Sequence, residues 1–497
     1  MFKLLVMGLK IVLTPTTFLL IAAGTALGTV FGAMPGVSAA MAVALCLPFA
    51  YAMNPVVAIA FMSSVYCAAI TGGGITAILF KIPGTPSNAP TTFDGYPMAQ
   101  RGEAGKALGY SLIASAIGGQ LAALAMALVT PQLANIGLKF GPSELFAVAF
   151  LGLSVLSYLD SDKMVKTLIS GLLGLFLACV GMDPMLGVPR FTWGNSTLLS
   201  GIEMIPIMIG LFAVTEVLKE TKDRSKLEAL DTKSGGKMST VLPSFSELWK
   251  TKWTMLRSST LGTIVGILPG AGATIASFLS YAIEKKVGKN AKALGTGIPD
   301  GIVASECANN AATAGSMVPL LSLGIPGGNA AAIMLTALVV KGVQLGPILM
   351  KTQPRYMAAV FGSMFVTNII MVIVAMLIAK VFAKILGVPY YILGPVIIML
   401  ATIGSYALAN NTGDVVLMAT AGVIGYAFVK LGYNPAALVL GLVLGQMCES
   451  NFRRAYTLTN GNMKAVFARP ITAVIVLICV AMLLTPLFKS LFQKKKD

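Results

Sequence analysis

The chain has 497 residues, of which 56% are hydrophobic and 11% are charged, and its formal net charge is +17 without any histidine. Soluble globular proteins carry about 25% charged residues, so the composition excludes a soluble protein and predicts a polytopic membrane protein with positive cytoplasmic loops. The sequence contains no Walker A lysine, nucleophile elbow or zinc spacing, which argues against an ATP-driven pump and against a bound cofactor.

The first predicted membrane helix, 16–34, ends in a helix-breaking Pro-Gly pair. The segment Leu27–Gly36 reads LGTVFGAMPG, and its glycines recur every fourth residue, which lets another backbone approach closely. Pro35 frees a carbonyl group in the preceding turn, which suits a small cation, whereas Gly36 permits a sharp reversal of the chain. We therefore expect Pro35 in an ion site, and Gly36 and the following Ser38 in a substrate site.

A second break follows the next long apolar stretch, 55–80. The residues from Pro83 onwards are too rich in proline to form a helix and too rich in hydroxyl groups to face lipid. We predict that Pro83 and Gly84 contribute to the ion site. The polar residues assigned to the substrate site are Thr85, Ser87 and Asn88. An ordinary solvated loop remains open as the alternative.

One long polar stretch divides the chain nearly in half. Residues 219–257 hold nine Lys or Arg residues against five Asp or Glu residues, and this basic excess indicates a cytoplasmic linker. The predicted organisation is therefore a first membrane repeat (1–218), the linker, a second membrane repeat (258–455), and a C-terminal membrane helix with a basic tail (456–497).

The second half begins with another copy of the first break. Leu261–Gly270 reads LGTIVGILPG and is identical to the first copy at six of ten positions. We expect residues 258–283 to form a helical hairpin that breaks at this Pro-Gly pair, because each arm has about half the length of a full span. By analogy with the first half, Pro269 is assigned to the ion site, and Gly270 and Thr274 to the substrate site.

A carboxylate lies within the next apolar stretch, which runs from 302 to 323. An acidic side chain at membrane depth is costly, so Glu306 is a candidate functional residue. If the stretch is helical, Asn309 and Asn310 lie on the same side as Glu306, and the three would suit cation coordination. A polar contact between helices is the alternative interpretation.

The last candidate break, at Ile325-Pro326-Gly327, parallels Ile82-Pro83-Gly84 in the first half. We assign Pro326 to the ion site, and Gly327 and Asn329 to the substrate site. Further parallels join Gly181-Met-Asp-Pro to Gly432-Tyr-Asn-Pro, and Glu216 to Glu449, in the same order along both halves. These matches predict an internal duplication.

The charges that follow the two copies of the first break differ. Residues 37–55 contain no charge, whereas 284–292 contains four lysines and an acidic residue. If positive charge marks the cytoplasm, equivalent loops lie on opposite sides of the membrane. The predicted fold is therefore an all-α polytopic membrane protein built from two inverted repeats with broken helices or helical hairpins.

In combination, these motifs resemble a known family, the large membrane subunit of the tripartite tricarboxylate transporters. The resemblance covers residues from about 15 to 455. It rests on the following segments: the break at Gly28–Gly36, Gly72-Gly73-Gly74 leading to Ile82-Pro83-Gly84, Phe93-Asp-Gly-Tyr-Pro-Met-Ala99 with Gly102, Leu268-Pro-Gly-Ala-Gly272, and Gly324-Ile-Pro-Gly327. It implies a bacterial inner-membrane carrier with an elevator-like mechanism. The implied partners are a small membrane subunit and a periplasmic or secreted solute-binding protein.

The expected function is therefore uptake of an organic carboxylate, either a tricarboxylate such as citrate or a related di- or monocarboxylate. The expected driving force is an ion gradient, with Na⁺ favoured over H⁺, and no cofactor or catalytic residue is expected. The rival hypothesis is an intramembrane enzyme that acts on a lipid-linked substrate with Glu306 or Asp300 as its general acid or base. A channel is a third possibility, although a channel would not require paired breaks.

Overall fold

The chain folds almost entirely into α-helices. A computed structural model describes residues 2–34, 37–154, 163–183, 187–194, 196–222, 240–268, 272–385 and 390–493. The helices before the linker are α1 (Phe2–Val12), α2 (Pro15–Ala33), α3 (Ala39–Ala52), α4 (Pro55–Phe80), α5 (Thr91–Met98), α6 (Ala104–Gly137), α7 (Pro142–Ser154), α8 (Met164–Ala178), α9 (Met204–Ile209) and α10 (Thr215–Lys222). A two-stranded antiparallel hairpin, β1 (Gly181–Met182) with β2 (Pro189–Arg190), lies between α8 and α9.

The second half contains further helices. They are α11 (Phe245–Lys250), α12 (Lys252–Ile267), α13 (Gly272–Val287), α14 (Pro299–Leu323), α15 (Asn329–Val340), α16 (Leu349–Thr352), α17 (Pro354–Ile385), α18 (Tyr390–Ala409), α19 (Thr412–Leu431), α20 (Pro435–Leu458), α21 (Met463–Phe467) and α22 (Pro470–Gln493).

Several of these helices are long and apolar enough to cross a bilayer. Within the described residues, five stretches meet both criteria: Pro15–Ala33, Pro55–Phe80, Thr91–Gly137, Pro354–Ala379 and Thr412–Leu431. The all-α, multi-pass membrane architecture predicted from composition is confirmed.

Prolines and left-handed residues set the ends of the two central helices. Pro55 and Pro299 occupy the first turns of α4 and α14, where a missing amide hydrogen costs nothing. Lys81 ends α4 and Gly324 ends α14, both in the left-handed conformation with φ of 59° and 74°. This conformation is routine for glycine and uncommon for lysine. Both helices are therefore followed by an abrupt change of direction into an Ile-Pro-Gly sequence.

Glycines allow α2 to pack closely against α4, and α12 against α14. The facing pairs in the first half are Gly24–Phe61, Gly28–Val65 and Gly32–Ala69; in the second half they are Gly262–Ala308 and Gly266–Ala312. Residue numbers rise together in both members of each pair, so the packed helices run parallel. A β-carbon on Gly28, Gly32, Gly262 or Gly266 would overlap the backbone of the facing helix, and one on Gly24 would overlap the side chains of Phe61 and Ser64. The glycine repeat seen in the sequence is thus a helix-packing surface.

We expect Gly32→Leu to destabilise the protein by about 1–3 kcal/mol, because the new side chain must displace the Ala69 backbone. The thermal unfolding midpoint of the detergent-purified protein measures this effect. Leu19→Phe is the control, since it enlarges an exposed side chain on the same helix. Equal midpoints for the two variants would contradict close packing at Gly32.

Residues 252–287 form a helical hairpin. Helix α12 ends at Ile267, and α13 begins at Gly272. The far ends of the two arms are joined by hydrogen bonds: Ser280 Oγ donates to Ser258 Oγ (2.8 Å), and Glu284 accepts from Thr254 Oγ1 (2.9 Å) and from Arg257 (2.6 Å). The end of α13 therefore lies beside the start of α12, as the sequence predicted for a hairpin. The first arm begins six residues earlier than predicted.

Helices α4 and α14 cross in opposite directions at the centre of the protein. The facing pairs are Tyr66–Ser316, Cys67–Thr313, Thr71–Asn310 and Gly74–Glu306. The residue number falls along α4 as it rises along α14, so these two helices are antiparallel. Because α2 runs with α4 and α12 runs with α14, α2 and α12 also point in opposite directions.

One pair of matched motifs adopts two different conformations. Gly181 begins strand β1 with φ of 117°, whereas Gly432 ends helix α19 with φ of 79°. The chain after Gly181 turns into the β-hairpin, but Pro435 begins helix α20 directly. The similarity of Gly-Met-Asp-Pro to Gly-Tyr-Asn-Pro therefore does not extend to local structure.

The described end of the linker is attached to the first half. Ser244 and Glu247 form a capping box at the start of α11, and Lys106 pairs with Glu247 at 2.6 Å. The hydrogen bond from Lys106, followed by those from Ser244, lowers the pKa of Glu247 to about 2. Any stabilisation from this pair is complete above the ordinary carboxyl pKa and is lost only as the pH falls through about 2. Val241 N also donates to Gly105 O (2.9 Å).

Candidate functional site

A fully buried carboxylate, Glu306, lies at the crossing of α4 and α14. Its side chain is 0% exposed, and both of its oxygens accept hydrogen bonds. The donors are Asn88 Nδ2 (3.0 Å) and Thr91 Oγ1 (2.5 Å) to Oε1, and Ser115 Oγ (3.1 Å) and Asn309 Nδ2 (3.3 Å) to Oε2. All four donors are neutral. A buried carboxylate without an opposite charge is costly, so the site favours the arrival of a cation or a proton.

The turn after the second break supplies two of these donors. Residues Pro86–Asn88 form one turn of 3₁₀-helix, and α5 follows at Thr91. Thr85 Oγ1 donates to Asn88 Oδ1 (2.5 Å) and lies 2.8 Å from Ser87 Oγ, and these three side chains are buried. The proposed substrate residues Thr85, Ser87 and Asn88 thus form one connected polar cluster that touches Glu306. The polar side chains of this turn are therefore packed inside the protein and are not exposed to solvent, as they would be in a solvated loop.

Three successive glycines in α4 make this arrangement possible. A β-carbon on Gly72 would overlap the carbonyl of Thr29, and one on Gly73 would overlap Asn88 Oδ1. A β-carbon on Gly74 would lie 3.0 Å from Glu306 Oε1. These three glycines face in different directions, and each lies against a different neighbour: Thr29 of α2, Asn88 of the turn, and Glu306 of α14. Gly73 O also accepts from Gly84 N (3.1 Å), which fixes the second break against α4.

Further polar residues continue along α14 from Glu306. Asn309 and Asn310 are fully buried, and Asn310 Nδ2 donates to Asn309 Oδ1 (2.8 Å). Thr71 Oγ1 on α4 donates to Asn310 Oδ1 (2.8 Å). The three proposed ion-site residues of α14 therefore lie together on a helix, as their spacing predicted. Within the described residues, no group of three or more His, Cys, Asp or Glu side chains is placed to hold a metal ion.

A second buried carboxylate, Asp94, ties α5 to the loop before α14. It is 0% exposed and accepts hydrogen bonds from the backbone amides of Gly295 (2.9 Å), Gly297 (2.9 Å) and Ile298 (3.0 Å). Tyr281 OH also donates to it (2.8 Å). Asp94 therefore joins α5, which carries the donor Thr91, to the loop that leads into α14, which carries the acceptor Glu306.

The other break in the second half meets the end of α12. A β-carbon on Gly327 would lie 2.6 Å from Gly266 O and 2.5 Å from Ser316 Cα. Gly84 contacts Gly32 O in the same manner in the first half. The second break of each half therefore lies against the C-terminal part of α2 or of α12. The Gly327 contact, at the level of Ser316, is ten residues along α14 from Glu306, which corresponds to about 15 Å.

The remaining proposed residues have varied surroundings. Pro326 is buried, Pro83 and Thr274 are half-buried, and Asn329 is exposed at the start of α15. Ser38 is half-buried and caps α3 by accepting from Met41 N (3.1 Å). The other four lie outside the described residues: Pro35, Gly36, Pro269 and Gly270.

The sequence interpretation missed three residues of the site, namely Thr91, Ser115 and Asp94. Ser111 and Ser115 are one helical turn apart in an apolar part of α6, and this spacing marks a polar face. Thr91 and Asp94 are likewise one turn apart in α5. Their partners lie about 200 residues away in the chain, so the sequence contained no local signal for the pairing.

The chain was also compared with known proteins. The family profile described as "Tripartite tricarboxylate transporter TctA family" matches residues 18–440. A protein of Agrobacterium vitis named "Uncharacterized 52.8 kDa protein in TAR-I ttuC' 3'region" is 36% identical over 487 residues, which is 97% of this chain and 96% of that protein.

A second protein of the same organism, "Uncharacterized protein in TAR-II ttuC' 3'region", is 37% identical over 232 residues, covering 46% of this chain and 96% of that protein. No solved structure matches the chain. The family match covers the Glu306 site, Asp94 and all four candidate breaks. The chain therefore belongs to the TctA family of tripartite tricarboxylate transporters.

Proposed function

We propose that this protein is the large permease subunit of a binding-protein-dependent carrier in the bacterial inner membrane, and that it takes up an organic carboxylate with an ion gradient. The observation that carries the proposal is Glu306, a buried carboxylate surrounded by four neutral donors. A cation that binds beside this carboxylate would offset the cost of burying its negative charge. Such a cation could enter and leave the site during transport. The family match supports the carboxylate as substrate and the presence of partner subunits.

Na⁺ is the coupling ion that we favour. Oxygen atoms are the ligands of hard cations, and the neighbourhood of Glu306 provides amide and hydroxyl oxygens from Asn309, Asn310 and Thr71 in addition to the carboxylate. A proton remains the alternative, since protonation would also neutralise Glu306. The substrate carboxylate is assigned to the polar cluster of Thr85, Ser87 and Asn88.

Uptake into proteoliposomes tests this function. The vesicles contain this chain and the small membrane subunit, and the binding protein is added outside with labelled citrate, dicarboxylates or monocarboxylates. We expect uptake of one of these carboxylates that requires both the binding protein and an inward Na⁺ gradient. A pH gradient alone is the matched control for coupling to H⁺. Flux that needs neither the binding protein nor an ion gradient would overturn the proposal.

We further propose that the two halves are inverted repeats that work as an elevator. The antiparallel crossing of α4 and α14 supports inversion, as do the equivalent contacts of Gly84 with Gly32 O and of Gly327 with Gly266 O. The left-handed ends at Lys81 and Gly324 occupy equivalent positions before the two Ile-Pro-Gly sequences. The broken helices would then form the moving part that carries the ion and substrate sites.

Inverted repeats predict the sidedness of two exposed positions. Ala52 lies at the end of α3, and Lys289 follows α13. We expect a membrane-impermeant maleimide to label Ala52→Cys from the outside and Lys289→Cys from the cytoplasmic side only. The protein without added cysteines is the control, because its own described cysteines are buried or half-buried. Labelling of both positions from one side would contradict inversion.

The enzyme hypothesis receives no comparable support. Asp300 and Glu306 lie on the same helix, and Asp300 accepts a hydrogen bond from Asn290 (3.3 Å) in the segment between α13 and α14. The oxygens of Glu306 already accept hydrogen bonds from donors on α5, α6 and α14 and from Asn88 in the turn before α5. The family of the chain is a family of transporters.

A further inference from the structure

A groove on the outside of the helix bundle contains two amide side chains, of which one has no hydrogen-bond partner among the described residues and the other has only one. It lies between α6 and α17 and has a volume of about 440 Å³. Residues that line it are Ile117, Gln120, Leu121, Asn368, Ile369 and Ile373. The groove is open along its length, and its rim is apolar: Ile369 is 60% exposed, and Leu121 and Ile373 are also exposed.

The two amides lie deep within the membrane. Gln120 is 16 residues from the start of α6 and 17 from its end, and Asn368 is 14 and 17 residues from the ends of α17. These separations correspond to more than about 20 Å of helix on each side, whereas half of the hydrocarbon core is about 15 Å thick. Water is therefore not the natural partner of either side chain.

Their hydrogen-bonding capacity is largely unused. Asn368 is 1% exposed, and neither its Nδ2 nor its Oδ1 has a partner among the described residues. Gln120 Nε2 donates to Phe365 O (2.9 Å), but its Oε1 has no such partner. Asn368 also packs directly against Gly119, where any side chain would overlap it. An amide that is held at mid-membrane depth without partners is costly, and the usual remedy is a polar side chain from a neighbouring helix.

We propose that this groove between α6 and α17 binds a transmembrane helix of the small membrane subunit, and that this helix brings a Ser, Thr, Asn or Gln side chain to Asn368 and Gln120. The identity of the partner rests on the proposed function, whereas the groove and its amides do not. The apolar rim packs against the bound helix, and hydrogen bonds to the two amides fix the position of that helix along the groove. A lipid chain would match the rim but would leave the amides unpaired.

Photocrosslinking in native membranes tests the contact. The photoreactive amino acid p-benzoylphenylalanine replaces Ile369 in the full chain, which is co-expressed with a tagged small subunit. The same replacement at Val423 is the matched control, because Val423 is also 60% exposed and lies in the middle of the apolar helix α19. We expect at least a tenfold higher yield of the crosslink to the small subunit from position 369. Equal yields, or crosslinks from position 369 only to lipid or to a second copy of this chain, would overturn the proposal.

A second measurement separates the contact from folding. Asn368→Leu and Gln120→Leu remove the buried amide atoms that have no partner, with little change of volume, so we expect the isolated variants to unfold at the wild-type temperature or above it. We also expect recovery of the small subunit with the double variant to fall at least fivefold. Unchanged recovery would overturn the proposal. If the wild-type chain itself does not recover the small subunit, the part of the proposed function that assigns this partner is wrong. If the small subunit is recovered but no crosslink forms at position 369, only the assignment of the groove as its binding site is wrong.

Discussion

Replacing Glu306 by glutamine is expected to reduce ion-driven uptake by roughly 10- to 150-fold while the protein still folds. Glutamine has nearly the same shape as glutamate, but it has no negative charge. A polar interaction with a charged group contributes about 1.5–3 kcal/mol, and this range corresponds to the expected fold-changes. Glu306→Leu should do more harm, because it removes the acceptor of four buried hydrogen bonds. We therefore expect that leucine variant to lose stability as well as transport.

The measurement is initial uptake in proteoliposomes, normalised to inserted protein, together with the thermal unfolding midpoint. Glu216→Gln is the control, since among the described residues Glu216 forms only a surface pair with Lys219 (2.9 Å), and the variant should keep uptake within about twofold of wild type. Wild-type uptake by Glu306→Gln would show that the charge has no role in coupling. Wild-type stability of Glu306→Leu would show that the hydrogen-bonded cluster does not hold the helices together.

Replacing Asp94 by asparagine is expected to destabilise the protein by about 3 kcal/mol. Asp94 accepts hydrogen bonds from three backbone amides and from Tyr281. Asparagine keeps one acceptor oxygen and directs an NH₂ group at the remaining donors, so buried amides of the 295–298 loop lose their partner. Since this loop precedes α14, we also expect weaker ion coupling through displacement of Glu306.

Thermal unfolding of the purified variant in detergent measures the loss. Glu103→Gln is a matched control: Glu103 lies close to Asp94 in sequence, but it is exposed and pairs only with the exposed Arg101 (3.4 Å). Its effect should stay within about 1 kcal/mol. If both variants unfold at the same temperature, Asp94 does not connect the two halves. If Asp94→Asn unfolds early but couples ions normally, its role is structural only.

Much of the helical architecture could be read from the sequence, because it depends on local chemistry. The apolar stretches and the glycine repeats located α2, α4, α12 and α14 to within a few residues, although α12 begins earlier than expected. Helix α2 ends at Ala33 and α3 begins at Ala39, and α12 ends at Ile267 and α13 begins at Gly272, on either side of the positions of the two Pro-Gly pairs in the sequence. Proline and glycine act on their own turn of helix, so one sequence is sufficient to place them.

The candidate site could be predicted only in part, because its contacts are remote in sequence. Glu306 stood out as a carboxylate in an apolar segment, and helical spacing grouped Asn309 and Asn310 with it. Nothing near Thr91 or Ser115 indicated that both would face Glu306, since helix crossing depends on which glycines meet which backbones. Similar sequences can also adopt different structures. Gly181-Met-Asp-Pro begins with a β-strand, whereas Gly432-Tyr-Asn-Pro begins with the residue that ends helix α19.

The position of Asp94 has a consequence for how the protein is made. Its backbone partner Gly295 follows 201 residues later in the chain. At a synthesis rate of about 5–20 residues per second, a ribosome needs roughly 10–40 s to reach that partner after it has added Asp94. During this interval the first half stands in the membrane, and Asp94, Asn88 and Thr91 lack the hydrogen-bond partners that the second half supplies. The first half therefore completes its structure only after the second half has been inserted, and the two mature together.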